Sequence, residues 1–464
     1  MTTIRQGNTW GDDFALYILH AQNIATGKPY ADTGYIYNPA DPIYGPPTYP
    51  PIFPLLLVPV CHFAGLNLWA MKCEQVVFFV LALLMIYLYL LQCTTVVNAS
   101  LVIAVLGFNP NFWAAKDNIL SDLPFLFFFW MAAWLASRQS RHWSRAALLG
   151  SVFYLAAGTR TIGITIVAGF LLYELLTRRK LTAFALIVTA TCIGLLALQS
   201  RSIPSSQGSY FDSFRPTLAS VVGNTVSYTR ALLTFWMGNS KSALAFTIVA
   251  ITSVLAVVGL YAHAKRGLAL LEITLALYLC GVIIWPARQG LRLLYPVIPF
   301  YVYLIVTGLA LLASHFSTPY LRAVGTAALL LIVSAGYAGG YRSSNLRVIA
   351  ETDGLASFND LCRRVQTITH DDDVFLCRRP RALTLFARRP AAVYDAAKSA
   401  DWWRFAEKIH ASYLLCNRRE AQDAEFLLPF IDESKPNLEL VYQNIDFDLY
   451  RIRSYDLALV NRNP

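Results

Sequence analysis

Between residues 73 and 341 the chain returns again and again to apolar runs of roughly 20 residues, the length a helix needs to cross a hydrocarbon layer about 30 Å thick. The runs fall at 73–97, 99–113, 119–136, 181–198, 243–262, 268–286, 293–313 and 323–341. A further stretch, 146–176, is too long for one span. It is interrupted by Gly158-Thr159-Arg160-Thr161 and reads as a tight hairpin with Arg160 at its tip. That makes about ten spans, an α-helical polytopic membrane protein. Only 14% of residues are charged, against 56% hydrophobic, with mean hydropathy +0.47, so a soluble globular class is excluded.

Charge sets the expected orientation. Residues 1–341 carry 20 Lys and Arg against 10 Asp and Glu, whereas 342–464 carry 18 of each, so the net +10 belongs to the membrane part. Arg138, Arg141, His142 and Arg145 form one basic cluster and Arg178-Arg179-Lys180 another; Lys265-Arg266 and Arg322 lie in later connections on the same side. Placed in the cytoplasm by the positive-inside rule, they put Asp12, Asp13, Asp32, Asp41, Asp117 and Asp212 on the opposite side. The segment 199–242 reads as a polar outer loop. No basic stripe with interleaved aromatics supports a nucleic-acid partner, despite a pI of 9.2.

From about 342 the apolar runs shorten. Helical patterns at 354–368, 380–388, 400–410 and 419–432 alternate with strand patterns at 373–377, 391–394, 412–416 and 438–452, and Asn444-Ile445-Asp446 reads as a hairpin turn. This predicts a small soluble α/β domain with a partly parallel sheet. Two domains follow: 1–341 in the membrane, including a long outer loop 11–54, and 342–464 as an extracytoplasmic tail. Five of the eight cysteines lie in apolar runs, whereas Cys362, Cys377 and Cys416 lie in the tail, where an oxidising compartment would allow one pair to bond.

Loop 11–54 begins with the adjacent acids Asp12-Asp13 and is rich in Tyr, Pro and Gly, as expected of an ordered, turn-rich loop. Gly11-Asp12-Asp13-Phe14-Ala15-Leu16-Tyr17, then His20-Ala21-Gln22-Asn23-Ile24-Ala25 with Gly27 and Tyr30, then Tyr49-Pro50-Pro51, resembles the first outer loop of GT-C membrane glycosyltransferases. The likeness is to bacterial relatives of protein O-mannosyltransferases and of lipid A aminoarabinose transferase. The resemblance covers roughly residues 10–340. Members usually carry one more helix ahead of the acidic loop; here nine residues precede Trp10, so either that helix is absent or the start lies upstream.

The resemblance implies a hexosyl- or pentosyltransferase of the cell envelope. A sugar would pass from a polyprenyl-phosphate donor to a lipid, glycan or protein acceptor at the outer membrane face. The acceptor hydroxyl needs a base, the leaving phosphate needs positive charge or a metal, and the polyprenyl tail needs an apolar groove. Asp13 is the expected base, with Asp12 beside it as the alternative. Asp122, just inside the third span, matches the family's second-loop acid, and an ionisable group at that depth needs a partner or a task. Lys72, Arg160 and Arg292 are the expected phosphate ligands, the guanidinium fork suiting phosphate.

Arg292-Leu293-Leu294-Tyr295-Pro296-Val297-Ile298-Pro299 resembles the family's Arg-Tyr-Leu-Leu-Pro-x-x-Pro, with Leu293 where tyrosine is common. His20, Tyr49 and Tyr295 complete the expected substrate-contacting set, against the plainer reading of loop histidine and interfacial aromatics. Asp12, Asp13 and Asp122 are also the candidates for a divalent metal, which some members do without. The acids and cations are expected to meet in one outer cavity. The rival reading is a transporter or flippase for a lipid-linked sugar. It calls for ionisable residues near the bilayer midplane and internal repeats; the acids here cluster at one face and no clear repeat is visible.

Overall fold

The computed structural model describes residues 3–9, 11–138, 142–203, 216–237, 243–265, 267, 269–314, 319–395 and 402–455; Trp10, Arg141, Asp212 and Arg266 lie outside them. The chain divides into two compact units, one built mainly from Ala70–Ser202 and Arg215–Leu346, the other from Arg5–Trp69 and Arg347–Pro464.

The first unit is helical. Among the described residues four helices are long and apolar enough to cross a membrane: Leu68–Leu90, Thr161–Arg178, Ala183–Ser202 and Phe246–Ala264. Val96–Gly107, Asp122–Ala136, Leu270–Ile284 and Ile298–Ser314 are shorter apolar helices, so the expected count of about ten full spans resolves into a mixture of lengths. The hairpin is formed as its sequence predicts. Trp143–Thr159 ends where Arg160 adopts an extended backbone (φ −144°, ψ 129°), and the chain returns as Ile164–Arg178. Ala243–Ala264 and Ile298–Ser314 cross through small residues, where a Cβ on Gly308 would stand 2.0 Å from the Leu255 carbonyl oxygen. Two boundaries differ from expectation. The first span begins at Leu68, which puts Lys72 within the helix, and the stretch read as a polar loop contains a 20-residue helix, Leu218–Met237.

The second unit is an α/β sandwich. Its strands are β1 (Tyr35–Ile36), β2 (Val374–Leu376), β3 (Ala391–Ala392), β4 (Ala411–Asn417), β5 (Leu438–Gln443) and β6 (Phe447–Ile452), in the order β1-β3-β2-β4-β6-β5. The first four are parallel; β4, β6 and β5 pair antiparallel. Asn444 Oδ1 accepts the backbone N–H groups of Asp446 (3.0 Å) and Phe447 (2.9 Å), closing the expected hairpin. Alternation along β4 sends Tyr413 and Leu415 into a core with Phe358, Leu361 and Val365, and Leu414 and Cys416 into a second core with Trp402, Trp403 and Phe430.

By compactness the chain divides elsewhere than at the expected boundary. Loop 11–54 belongs to the same compact unit as the tail, and its strand β1 pairs with β3 through Tyr35↔Ala391 and Ile36↔Ala392. The loop contains the helix Asp13–Thr26 and runs into a second, Ile52–Ala64, and the two pack on one another. Cys362, Cys377 and Cys416 are buried free thiols, so no pair among them is bonded.

Candidate functional site

The polar residues gather in two places, one in each unit. In the α/β unit the organising group is Arg381, a residue that the sequence reading did not single out. It sits in the first turn of Pro380–Ala387 and is 1% exposed. Its Nη1 donates to Asp13 Oδ1 (3.2 Å) and to the Tyr49 hydroxyl (2.7 Å), and its Nη2 donates to the Tyr44 carbonyl (3.1 Å). The guanidinium lies over the rings of Tyr35 and Tyr44, each at 4.7 Å, and of Tyr49 at 5.2 Å. Such close wrapping needs Gly45 (φ +115°), where a Cβ would stand 2.9 Å from Nη2.

The two acids have different surroundings. Asp12 is 3% exposed and Oδ2 accepts the Tyr44 hydroxyl (2.5 Å) and the backbone N–H of Arg381 (3.0 Å). Burial pushes its carboxyl above the ordinary aspartate value, only partly opposed by Arg381 and Arg379. Asp13 has a side chain 26% exposed and accepts the Tyr49 hydroxyl at 2.7 Å. Of the pair, it is the one open to solvent.

His20 and Tyr49 turn out to be parts of the scaffold beneath Asp13. His20 is fully buried and stacks on Tyr30 at 4.1 Å. Its Nε2 accepts the Tyr49 backbone N–H (3.3 Å), which leaves Nδ1 to donate to the Tyr30 carbonyl (2.8 Å). The Tyr30 hydroxyl in turn donates to the Tyr49 carbonyl at 2.7 Å. Both backbone polar groups of Tyr49 are thereby fixed, and with them the hydroxyl that holds Asp13. Burial drops the His20 pKa to about 4. Both ring nitrogens are engaged with backbone, so in this arrangement His20 braces the loop and offers no ring atom to a substrate.

In the helical unit Asp122, Arg160 and Arg292 come together. Asp122 opens Asp122–Ala136 and is 4% exposed; its Oδ1 accepts from Arg160 Nη1, and its Oδ2 accepts from Arg292 Nε (3.1 Å) and Nη2 (3.0 Å). Arg160 also donates to Gln289 Oε1 at 3.2 Å. Arg292 is carried on the tight turn Gly290–Leu294, tied down by the Tyr278 hydroxyl, which donates to the Leu293 carbonyl (2.8 Å). Tyr295, expected to touch substrate, is buried with its ring 4.7 Å from that of Phe112. Asp117 forms a separate buried pair with Lys116 (2.8 Å).

Three neighbours, Arg288, Asn224 and Tyr228, were not anticipated. Arg288 donates to Asn224 Oδ1 (2.9 Å), and Arg288 and Arg160 both act electrostatically on the Tyr228 hydroxyl. A cavity of about 220 Å³ lies beside Tyr228, with Leu232, Leu279, Val282, Leu294 and Ile298 in its largely apolar wall. Its wall includes Leu294, the end of the turn that carries Arg292. Lys72 is 2% exposed, on the inward face of Leu68–Leu90 rather than snorkelling to an interface. A metal finds little to bind. Among the described residues no three His, Cys, Asp or Glu side chains cluster to hold one. The Asp12 and Asp13 carboxylates already meet the Arg381 guanidinium and tyrosine hydroxyls.

These two constellations rest on a fold found in known enzymes. No family model and no curated protein matches the sequence. Among solved structures, the archaeal oligosaccharyltransferase AglB of Archaeoglobus fulgidus, in complex with an inhibitory peptide and a dolichol-phosphate, matches over 90% of this chain with a TM-score of 0.59 at 12% identity. ArnT of Cupriavidus metallidurans, bound to undecaprenyl phosphate, matches over 98% at TM-score 0.52 and 13% identity, with 95% of its own length covered. The arabinofuranosyltransferase AftD from Mycobacteria matches over 86% at TM-score 0.53 and 13% identity. The chain spans 66% of the AglB length and 35% of AftD. The fold is therefore that of the GT-C membrane glycosyltransferases, as the first outer loop led us to expect.

Proposed function

We propose that the chain is a GT-C glycosyltransferase that moves a sugar from a polyprenyl-phosphate carrier to an acceptor hydroxyl or amide of a lipid, glycan or protein at the extracytoplasmic face of the membrane. The observation that carries this reading is the arginine cluster beside an apolar groove. Arg160 and Arg292 both pair with Asp122, and Arg160 and Arg288 both act on the Tyr228 hydroxyl, so three guanidiniums gather about Asp122 and Tyr228. Guanidiniums gathered in this way suit a phosphate group, and the adjoining groove suits the first isoprene units of its lipid. Carriers of this kind are what the ArnT and AglB structures contain.

In the transfer step Asp13 accepts the proton of the acceptor. The acceptor atom then bonds to the anomeric carbon as the bond from that carbon to the phosphate oxygen breaks. The leaving phosphate takes that electron pair, and the arginines stabilise the charge it gains. Asp12 keeps the loop closed on Arg381, and Asp122 sets the spacing of Arg160 and Arg292.

The test is a transfer assay in proteoliposomes with labelled polyprenyl-phosphate sugars. Wild type should transfer label to acceptor, and Asp13→Asn should lower the rate at least 100-fold, the scale expected for loss of a general base. An undiminished rate in Asp13→Asn removes the base. Movement of the intact carrier across the bilayer without transfer would replace the enzyme by a flippase.

A further inference from the structure

Gln75 lies on the inward face of Leu68–Leu90, three residues after Lys72, and is fully buried. Neither its Nε2 nor its Oε1 has a hydrogen-bond partner, and among the described residues no other side chain has two such buried atoms. A primary amide left unbonded in an apolar bundle is unfavourable, and leucine at this position would pack without that penalty. A polar side chain that faces the interior of a helix bundle calls for a polar partner, supplied by a neighbouring helix or by something bound there.

Packing locates the amide. Phe78 meets Phe127 and Phe128, Tyr89 meets Trp130, and the Ser137 hydroxyl donates to Gln92 Oε1 at 3.0 Å. Leu68–Leu90 and Asp122–Ala136 therefore run in the same direction, and Lys72, Gln75 and Asp122 share one end of the bundle. Side chains on a helix lean towards its amino end, which carries the Gln75 amide further in that direction. One turn later Phe79 stacks on Phe112, which packs on Tyr295, three residues beyond Arg292.

We infer that Gln75 is a donor-binding residue: Nε2 donates to an oxygen of the carrier phosphate, and Oε1 accepts from the sugar hydroxyl next to the anomeric carbon. A group that donates and accepts at once suits a glycosyl phosphate, whose phosphate oxygen and neighbouring hydroxyl flank a single linkage. The assignment rests on the proposed use of a polyprenyl-phosphate donor.

The test uses the full chain in detergent, with undecaprenyl phosphate as probe and undecaprenol as the phosphate-free control. For wild type, Gln75→Leu and Gln75→Met, melting temperature is recorded without ligand and across a ligand titration. Both variants should melt no lower than wild type without ligand, because an unbonded amide has been removed. Both should bind undecaprenyl phosphate about 10- to 100-fold more weakly, the worth of a hydrogen bond to a charged group. Affinity equal to wild type overturns the assignment, as does a ligand-free melting temperature several degrees lower, which would make the amide structural. Wild type that fails to prefer undecaprenyl phosphate over undecaprenol overturns instead the donor class on which the assignment rests.

Discussion

Replacing Arg381 by methionine should loosen the loop and the sheet edge together. The guanidinium is buried against Asp12, Asp13, Tyr49 and the Tyr44 carbonyl. Methionine fills part of the volume but leaves the buried Asp12 with only the Tyr44 hydroxyl and one backbone N–H. Removing one partner of a buried ion pair costs about 3–5 kcal/mol, and those two remaining bonds argue for the lower end. About 3 kcal/mol is a factor of roughly 150 in a local opening equilibrium. Hydrogen exchange on Asp13–Thr26 and Pro380–Ala387 should therefore lose about that much protection. Arg381→Met combined with Asp12→Asn should recover a large part of it, because the stranded charge is gone. Protection within fivefold of wild type in the single variant, or no recovery in the double, would refute the reasoning.

Two buried groups in the same unit should give opposing pH dependence. His20 has its pKa lowered to about 4 from 6.5, so the stability it lends is complete above pH 6.5 and drains away as pH falls towards 4. Asp423, raised by burial to about 6 from 3.8, acts the other way: the fold gains as pH falls through 6 and the carboxyl takes up its proton. Each amounts to on the order of 3 kcal/mol, and the upward shift of Asp12 adds to the Asp423 sense. Between pH 7 and 4, denaturant unfolding of His20→Asn should show stability rising relative to wild type on acidification, and that of Asp423→Asn should show it falling. In the helical unit, Gly308→Ala drives a Cβ against the Leu255 carbonyl and should cost about 1–3 kcal/mol. Gly194→Ala, with nothing within 4 Å, should be neutral or stabilising, and melting temperatures in detergent compare the two.

The parts written in local pattern could be read from the sequence. The Arg160 hairpin follows from a polar break in an overlong apolar run. In the tail, β2, β4 and the Asn444 turn follow from alternation and turn chemistry, because each depends on a few adjacent residues. Leu218–Met237 was hidden because Asn224, Thr225, Ser227 and Thr229 give it the polarity of a loop, although Asn224 spends its amide on the Ile283 and Trp285 carbonyls. The pairing of β1 with β3 joins residues more than 350 apart through two-residue strands, too short to carry a period. Arg381 sits in a plain Arg-Arg-Pro-Arg-Ala stretch, and nothing nearby distinguishes it from Arg378 or Arg379. Asp122, Arg160 and Arg292 were nominated from depth and motif, and the helical unit brings those three together. Lys72 is expected as a phosphate ligand ahead of the first apolar run; its burial follows from a helix that starts five residues earlier than that run.

Division of labour between the acid and the arginines is the claim on which the account turns, and one set of measurements reads it directly. Transfer rate at saturating donor and affinity for undecaprenyl phosphate are measured on wild type, Asp13→Asn and Arg292→Gln. The account predicts that Asp13→Asn loses at least 100-fold in rate and keeps its affinity, whereas Arg292→Gln loses about tenfold or more in affinity. Wild-type turnover in Asp13→Asn, or undiminished binding in Arg292→Gln, would contradict it.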